Sequence, residues 1–194
     1  MKKTLLLLAV ATMLAPSAHA LSFNWSASGI LYDGTRFNKT TGANVTAYLV
    51  YLGTDESYST SYDVNKESTA SSIISSVGTQ ADYKTGTTAA GKITQDFEFD
   101  SGAYGNGDTF GILLSYTASG TTYFNLSSST YTLSGLTDDP TQTIADATFT
   151  FSYSGPTESK TISSGSGWVL AVPEPSTAAL ALAGLALLIR RRKA

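Results

Sequence analysis

The chain has 194 residues, no cysteine and a single histidine, His19. No disulfide can form, and after His19 the sequence lacks the residues of a Ser-His-Asp triad, a cysteine nucleophile or the usual zinc site. Residues 21–172 carry six basic and 14 acidic side chains, a net charge of −8 that the whole-chain value of −3 conceals. This charge makes nucleic acid and anionic membrane surfaces poor partners, whereas divalent cations, basic surfaces and neutral glycans remain open.

The N-terminus has the pattern of a secretory signal peptide. Lys2 and Lys3 precede a ten-residue apolar run, residues 5–14, that only a threonine interrupts. Small residues follow at Ala18 and Ala20, where signal peptidase requires them. The sequence therefore predicts a signal peptide over residues 1–20 and a mature chain that begins at Leu21. The alternative is a buried N-terminal core helix.

The exported body, residues 21–171, alternates apolar and polar residues with the period of a β-strand. Alternation is clearest in residues 21–28, 95–100 and 145–153, whereas residues 47–52 are apolar on both faces and predict a central strand. Residues 109–118 and 121–126 flank Ser119-Gly120, which predicts a two-residue hairpin turn. Residues 168–170 predict a last strand. We expect one all-β domain, an antiparallel β-sandwich of jelly-roll-like or Ig-like form, that needs neither metal nor disulfide.

One segment has helical rather than strand periodicity. In Lys66–Val77 the apolar residues recur at intervals of three and four, at Ala70, Ile73, Ile74 and Val77. Asn65 is placed to cap the start and Gly78 to end the segment. The pattern predicts one short amphipathic helix that lies across the edge or end of the sandwich.

Three carboxylates, Asp96, Glu98 and Asp100, share one face of a predicted strand whose other face carries Phe97 and Phe99. The simplest interpretation is a solvated outer face above an aromatic core. The same spacing is compatible with calcium binding or with the acid and base of a glycosidase. The next residues supply weak calcium candidates, Asp100, Asn106 and Asp108, in a glycine-rich segment that equally suits an ordinary hairpin loop.

The chain contains 11 tyrosines, four of them closely spaced at Tyr48, Tyr51, Tyr58 and Tyr62. Exposed tyrosines bind sugars by stacking and by hydroxyl hydrogen bonds, although packing between strands is the commoner reason for tyrosine in a sheet. A lectin-like glycan site that uses exposed tyrosines is therefore one hypothesis. The sequence predicts no catalytic residue and no cofactor.

The last 23 residues combine three features in a fixed order. Pro173 and Pro175 exclude a helix around Glu174, an apolar stretch follows at residues 176–189, and four basic residues, Arg190, Arg191, Arg192 and Lys193, precede the end. As a helix, the 14 apolar residues span about 21 Å, short of the roughly 30 Å core of a bilayer. Insertion is worth only about −3 kcal/mol. The basic residues should stay cytoplasmic and leave the body outside.

This tail, from Val172-Pro173-Glu174-Pro175-Ser176-Thr177 through the apolar helix to the basic cluster, closely resembles the PEP-CTERM sorting signal of Gram-negative bacteria. The resemblance implies recognition by an exosortase, a membrane-embedded transpeptidase-like enzyme, and an association with exopolysaccharide and biofilm. It makes exosortase and signal peptidase the processing partners and the inner membrane a transient one. The alternative is a permanent single-span anchor with a stiff linker.

The sequence thus predicts an exported, non-enzymatic protein of the cell surface or extracellular matrix, tethered to the inner membrane only as a precursor. Residues 1–20 are the signal peptide, 21–171 the β domain and 172–194 the sorting signal. A lectin-like glycan-binding module and a carboxylate-based glycosidase are the two alternative functions.

Overall fold

The computed structural model describes residues 20–171, except 59–60, 66–67, 138, 140–141 and 160. The described residues are mostly β, with one short helix, and their packing is consistent with a β-sandwich. The helix is α1 (Ala70–Val77). The strands, in chain order, are β1 (Ala20–Ala27), β2 (Leu31–Tyr32), β3 (Thr35–Arg36), β4 (Val45–Thr54), β5 (Tyr62–Asp63), β6 (Thr79–Thr85), β7 (Ile93–Asp100), β8 (Asp108–Ala118), β9 (Thr121–Leu126), β10 (Tyr131–Thr132), β11 (Ala147–Phe149), β12 (Thr157–Ser159), β13 (Thr161–Ile162) and β14 (Val169–Ala171).

The strands form two larger sheets and two small ribbons. A three-stranded sheet has the order β11-β1-β7, and a seven-stranded sheet has the order β12-β14-β9-β8-β4-β6, with β10 added beside β8. The ribbons pair β2 with β3 and β5 with β13. Two pairs of neighbouring strands run parallel, β1 with β11 and β12 with β14, so the sandwich is mixed rather than antiparallel throughout. Neither pair is joined by a hairpin: most of the domain separates β1 from β11, and residues 160–168 separate β12 from β14, which allows a parallel direction.

The main core lies between the two larger sheets. The alternate residues of β1, from Leu21 to Ala27, are buried as predicted, and the apolar face of β7 is buried beside them. Phe23 of the smaller sheet contacts Phe110 of the larger one with ring centroids 5.6 Å apart. Trp25 is fully buried, and its indole nitrogen donates to Oδ2 of Asp82 on edge strand β6 at 2.9 Å, which joins the two sheets at this edge.

Strand β4 is apolar on both faces because both faces of the larger sheet are covered. Ala47 and Leu49 belong to the core between the sheets. Val50 faces the opposite way and packs, with Leu113, against Ile73 and Ile74 of α1. The ribbon of β5 and β13 completes this second, outer cluster. The predicted central strand is therefore confirmed: β4 lies between β8 and β6.

The predicted hairpin of β8 and β9 is also confirmed. Ala118 pairs with Thr121 across a two-residue turn. Both turn residues, Ser119 and Gly120, have positive φ, 51° and 79°, as in the turn type that matches the twist of the flanking strands.

The helix is shorter than predicted. It begins at Ala70, and the capping residue is Thr69 rather than Asn65. The Thr69 hydroxyl accepts from the backbone of Ser72, and the Ser72 hydroxyl accepts from the backbone of Thr69 at 2.9 Å, so the first turn is closed on itself. Asn65 instead forms a separate turn with Ser68. Gly78 follows the helix as expected.

The predicted strand over residues 145–153 is reduced to β11. Its apolar residues Ala147 and Phe149 are buried, whereas Ala145 is exposed. Beyond Phe149 the backbone leaves β1 and bonds to the 128–129 segment through Thr150 instead. Among the described residues no helix has the length and apolarity needed to cross a membrane. The predicted signal peptide before Ala20 and the whole predicted sorting signal, with its apolar helix, lie outside the described residues.

Candidate functional site

The acidic strand has the predicted two-faced character. On β7 the side chains of Asp96, Glu98 and Asp100 are exposed, and Phe97 and Phe99 are buried beneath them. Asp96 accepts a hydrogen bond from the Asn24 side chain of the neighbouring strand at 2.9 Å. Among the described residues no group of three histidine, cysteine, aspartate or glutamate side chains is arranged to hold a metal ion.

An open hollow of about 420 Å³ lies at the end of this strand. Its wall includes Glu98, Asp100 and the ring of Tyr104, which contacts Phe97 and Phe99 edge-on. Ala20, which precedes the predicted cleavage site, also lines it. The hollow thus lies where the mature N-terminus would begin.

Asp108, a calcium candidate from the sequence, is buried and has structural partners. Its carboxylate accepts from the Thr54 hydroxyl at 2.7 Å, the Gly105 backbone at 2.8 Å and the Tyr51 hydroxyl at 3.1 Å. Burial alone raises the pKa of this carboxyl, but the three hydrogen bonds outweigh burial, and the pKa is lowered. Asp108 therefore fixes the start of β8 to the 105–107 loop and to β4.

The other two calcium candidates do not join Asp108 at one point. Asn106 uses both ends of its side-chain amide on Leu136: Oδ1 accepts from the backbone nitrogen at 2.8 Å, and Nδ2 donates to the carbonyl at 3.1 Å. Asp100 is exposed at the end of β7. In the glycine-rich segment the side chains of Asn106 and Asp108 are thus bonded within the fold, and that of Asp100 is exposed.

The four tyrosines that suggested a glycan site do not all share one surface, because Tyr51 lies on the opposite face of the sheet from the other three. Tyr51 faces the inter-sheet core and donates to Asp108, whereas Tyr58 lies on the outer face. The Tyr58 hydroxyl bonds to Ser127 at 2.9 Å, and its ring occupies the space that a side chain at Gly111 would fill. Burial raises the pKa of Tyr58. Tyr62 packs into the same outer cluster. Closeness in sequence therefore does not bring these four tyrosines together on one exposed surface.

Tyr48 packs against the outer cluster and also stacks on a tyrosine that the sequence interpretation missed. Tyr48 of β4 and Tyr83 of β6 are directly opposite each other, with ring centroids 6.1 Å apart and an interplanar angle of 25°. Among the large apolar and aromatic side chains of the described residues, Tyr83 is the one that is exposed, at 57%. Its sequence context, between Asp82 and Lys84, gave no strand prediction, and a lone tyrosine among polar residues is the pattern of an exposed edge strand.

The last described strand ends where the sorting signal begins. β14 pairs with β9 through Val169 and Leu170 and runs parallel to β12 up to Ala171. The predicted final strand is confirmed, with Trp168 buried just before it. The body is therefore hydrogen-bonded up to the residue that precedes Val172.

Comparison with known proteins identifies the tail. The family model of the PEP-CTERM protein-sorting motif matches residues 171–193. No curated protein and no solved structure matches the chain. The resemblance read from the sequence is confirmed: the C-terminal region is a PEP-CTERM sorting motif, which implies export, membrane-associated sorting and processing by an exosortase.

Proposed function

We propose that this protein is a non-enzymatic β domain of a Gram-negative bacterium that an exosortase releases to the cell surface or extracellular matrix, where it associates with exopolysaccharide in biofilm. The observation that carries the proposal is the sorting motif over residues 171–193. The N-terminal pattern exports the body, the basic cluster retains the tail, and both ends give one topology.

The position of β14 supports a tether that is cut close to the domain. Ala171 is still part of the seven-stranded sheet, and Pro173-Glu174-Pro175 begins two residues later. Proline favours extended backbone, which suits a protease-like cleft, and Glu174 offers a charge for recognition. Almost no linker therefore separates the folded domain from the cleavage motif at the membrane surface, and cleavage there releases the whole domain.

A non-enzymatic role is supported by the residue types available. After His19 the chain has neither histidine nor cysteine. The buried carboxylate of Asp108 is occupied by three donors, and the carboxylates of β7 lie on an open strand face. Asp108 thus stabilises the fold, and the carboxylates of β7 are solvated side chains on its surface. Binding is therefore the role that we propose for the surface.

The test is replacement of Pro173, Glu174 and Pro175 by alanine in a host with an exosortase. Export, cleavage after Ala20 and membrane insertion should stay intact, and unprocessed protein should accumulate in the inner membrane. The wild-type chain in a host without exosortase is the control and should accumulate in the same form. Release of the triple variant at the wild-type rate would contradict the proposal.

A second variant separates retention from recognition. Deletion of Arg190–Lys193 should make the tail slip through the membrane or insert poorly, because about −3 kcal/mol of insertion energy leaves little margin. The two variants therefore fail at different steps, which cell fractionation distinguishes.

A further inference from the structure

The outer face of the seven-stranded sheet is covered at one end and open at the other. Helix α1 ends at Gly78, beside Tyr51 and Leu52, and its buried residues Ile73 and Ile74 pack over Val50. At the opposite end of β4 and β6 lies a group that we call the tyrosine–threonine platform: Thr46, Tyr48, Tyr83 and Thr85.

The platform consists of two cross-strand pairs on one face. Tyr48 is opposite Tyr83, and Thr46 is opposite Thr85, two residues and so roughly 7 Å further along the strands. The threonine hydroxyls are hydrogen-bonded to each other at 3.0 Å. Burial raises the pKa of Tyr48, while a hydrogen bond with the Thr46 side chain acts in the opposite direction. Aromatic rings and hydroxyl groups therefore adjoin on one face of the two strands, and none of the four side chains is charged.

Stacking on Tyr48 covers only part of the Tyr83 ring. Tyr83 is still 57% exposed, on an edge strand where Asp82 and Lys84 supply the charged residues that usually protect against pairing with another chain. The tyrosines at 51, 58 and 62 pack into cores, so tyrosine in this fold is normally covered. An exposed tyrosine, with an apolar ring and a polar hydroxyl, is suited to contact a ligand that has both kinds of surface.

From this geometry we propose that the tyrosine–threonine platform binds an uncharged polysaccharide chain. A sugar ring has an apolar C–H face, which stacks on tyrosine, and a rim of hydroxyls, which pair with threonine hydroxyls that both donate and accept. The four side chains lie on a sheet face, so they suit the side of a chain rather than its end. The net charge of −8 on residues 21–172 repels acidic polymers, and stacking on an uncharged platform favours a neutral one. The inference rests on the exopolysaccharide association in the proposed function and names its site.

The test is affinity electrophoresis of the full chain, purified in a mild non-ionic detergent, through gels that contain one polysaccharide. The neutral probes are hydroxyethyl cellulose, a galactomannan and dextran, and the acidic probe is alginate. At least one neutral probe should retard the wild-type chain, and alginate should not. Tyr83→Ala should weaken binding about tenfold, as loss of a central aromatic anchor does. Tyr83→Phe should keep most of the affinity.

A matched pair of double variants separates the platform from threonine pairs in general. Thr46→Ala with Thr85→Ala should weaken binding several-fold. Thr117 and Thr122 form a like pair between β8 and β9, with hydroxyls 3.2 Å apart, on the same sheet face but further from Tyr83. Their replacement by alanine should weaken binding less than the replacement of Thr46 and Thr85. Each variant is first shown to be folded by a melting temperature equal to that of the wild-type protein. Tyr83→Phe and the threonine variants change few core contacts. They therefore test whether the platform binds polysaccharide even if Tyr83→Ala unfolds.

Three results would overturn the inference: no retardation by any neutral probe, retardation by alginate alone, or equal losses in the two threonine double variants. A wild-type chain that dimerises through Tyr83, detected by light scattering and lost in Tyr83→Ala, would also overturn it in favour of self-association. Retention of the protein in the extracellular matrix of producing cells distinguishes a failure of this inference from a failure of the proposed function. If the wild-type protein is released and retained but Tyr83→Ala is retained equally, the function stands and the site is wrong.

Discussion

The two faces of the seven-stranded sheet differ in how completely they are covered. The inner face packs against the three-stranded sheet through Phe23 and, toward β9, against Tyr32 of the β2–β3 ribbon. Among the described residues, α1 and the ribbon of β5 and β13 cover part of the outer face, and beyond them Tyr83 is exposed. Tyrosine therefore packs in the core in one region, as Tyr51 does, and is exposed in another, as Tyr83 is.

This difference shows why residue counts alone select the wrong tyrosines. Four tyrosines close in sequence are distributed over two faces, whereas Tyr48 and Tyr83, 35 positions apart, meet across two strands. Coverage by neighbouring elements decides which aromatic rings reach solvent, and each prediction below changes one region of that coverage.

The largest effect is expected for Trp25→Ala on the inner face. The fully buried indole fills the core and bonds to Asp82, so its removal should lower the free energy of unfolding by about 3–5 kcal/mol. Urea unfolding of residues 21–171 measures this. Trp25→Phe, which keeps most of the volume and loses the hydrogen bond, should cost less than half as much. A cost below about 1 kcal/mol for Trp25→Ala would show that the sheets are not packed as described.

A smaller effect, about 2–3 kcal/mol at neutral pH, is expected for Asp108→Asn, because an amide cannot accept from all three donors. The native pKa of Asp108 is lowered, so its contribution to stability is present above the unfolded pKa of about 3.9 and is lost as the pH falls through the native value. Thermal melts from pH 6 to pH 2 should therefore show a shallower acid loss for the variant. Parallel curves for the two proteins would contradict this role.

Gly78→Ala, just after the end of α1, tests whether α1 covers the outer face of the seven-stranded sheet. A Cβ at this position would overlap the carbonyl oxygen of Tyr51, so the helix must shift, at a cost of about 1–3 kcal/mol. Gly105→Ala is the matched control, since nothing lies within 4 Å of its Cβ position. Chemical denaturation of both variants gives the comparison. Equal stabilities would mean that α1 is not held against β4.

The smallest effect is expected on the exposed face of β7. Replacing Asp96, Glu98 and Asp100 by Asn, Gln and Asn should change stability by at most about 1 kcal/mol, through relieved repulsion. Added calcium should leave the wild-type melting temperature unchanged, and neither protein should release reducing sugar from polysaccharide. A calcium-dependent rise that the triple variant loses would instead identify a metal site.

Much of the fold was predictable because its signals are local. The period-two alternation of residues 21–28, the doubly apolar β4 and the Ser119-Gly120 turn each determine their structure from neighbouring residues. The Asp33-Gly34 turn between β2 and β3 is a signal of the same kind, with positive φ at both residues, that the interpretation overlooked.

The rest depended on contacts between distant segments. The parallel pairing of β1 with β11 brings Trp25 beside Ala147, which no local period encodes. The helix start moved from Asn65 to Thr69 because several residues there are competent caps, and packing of Ile73 and Ile74 selects among them. The carboxylate of Asp108 resembled a calcium ligand in sequence, and only the fold shows that its partners are Tyr51, Thr54 and Gly105.

The most direct test of the proposed function is the intact mass of the protein recovered from the surface of a host with an exosortase. We expect a chain that begins at Leu21 and lacks the apolar segment and the basic cluster of the tail, because the sorting motif over residues 171–193 is a processing signal. A recovered chain that still ends at Ala194 would contradict the temporary tether and leave a permanent single-span anchor in its place.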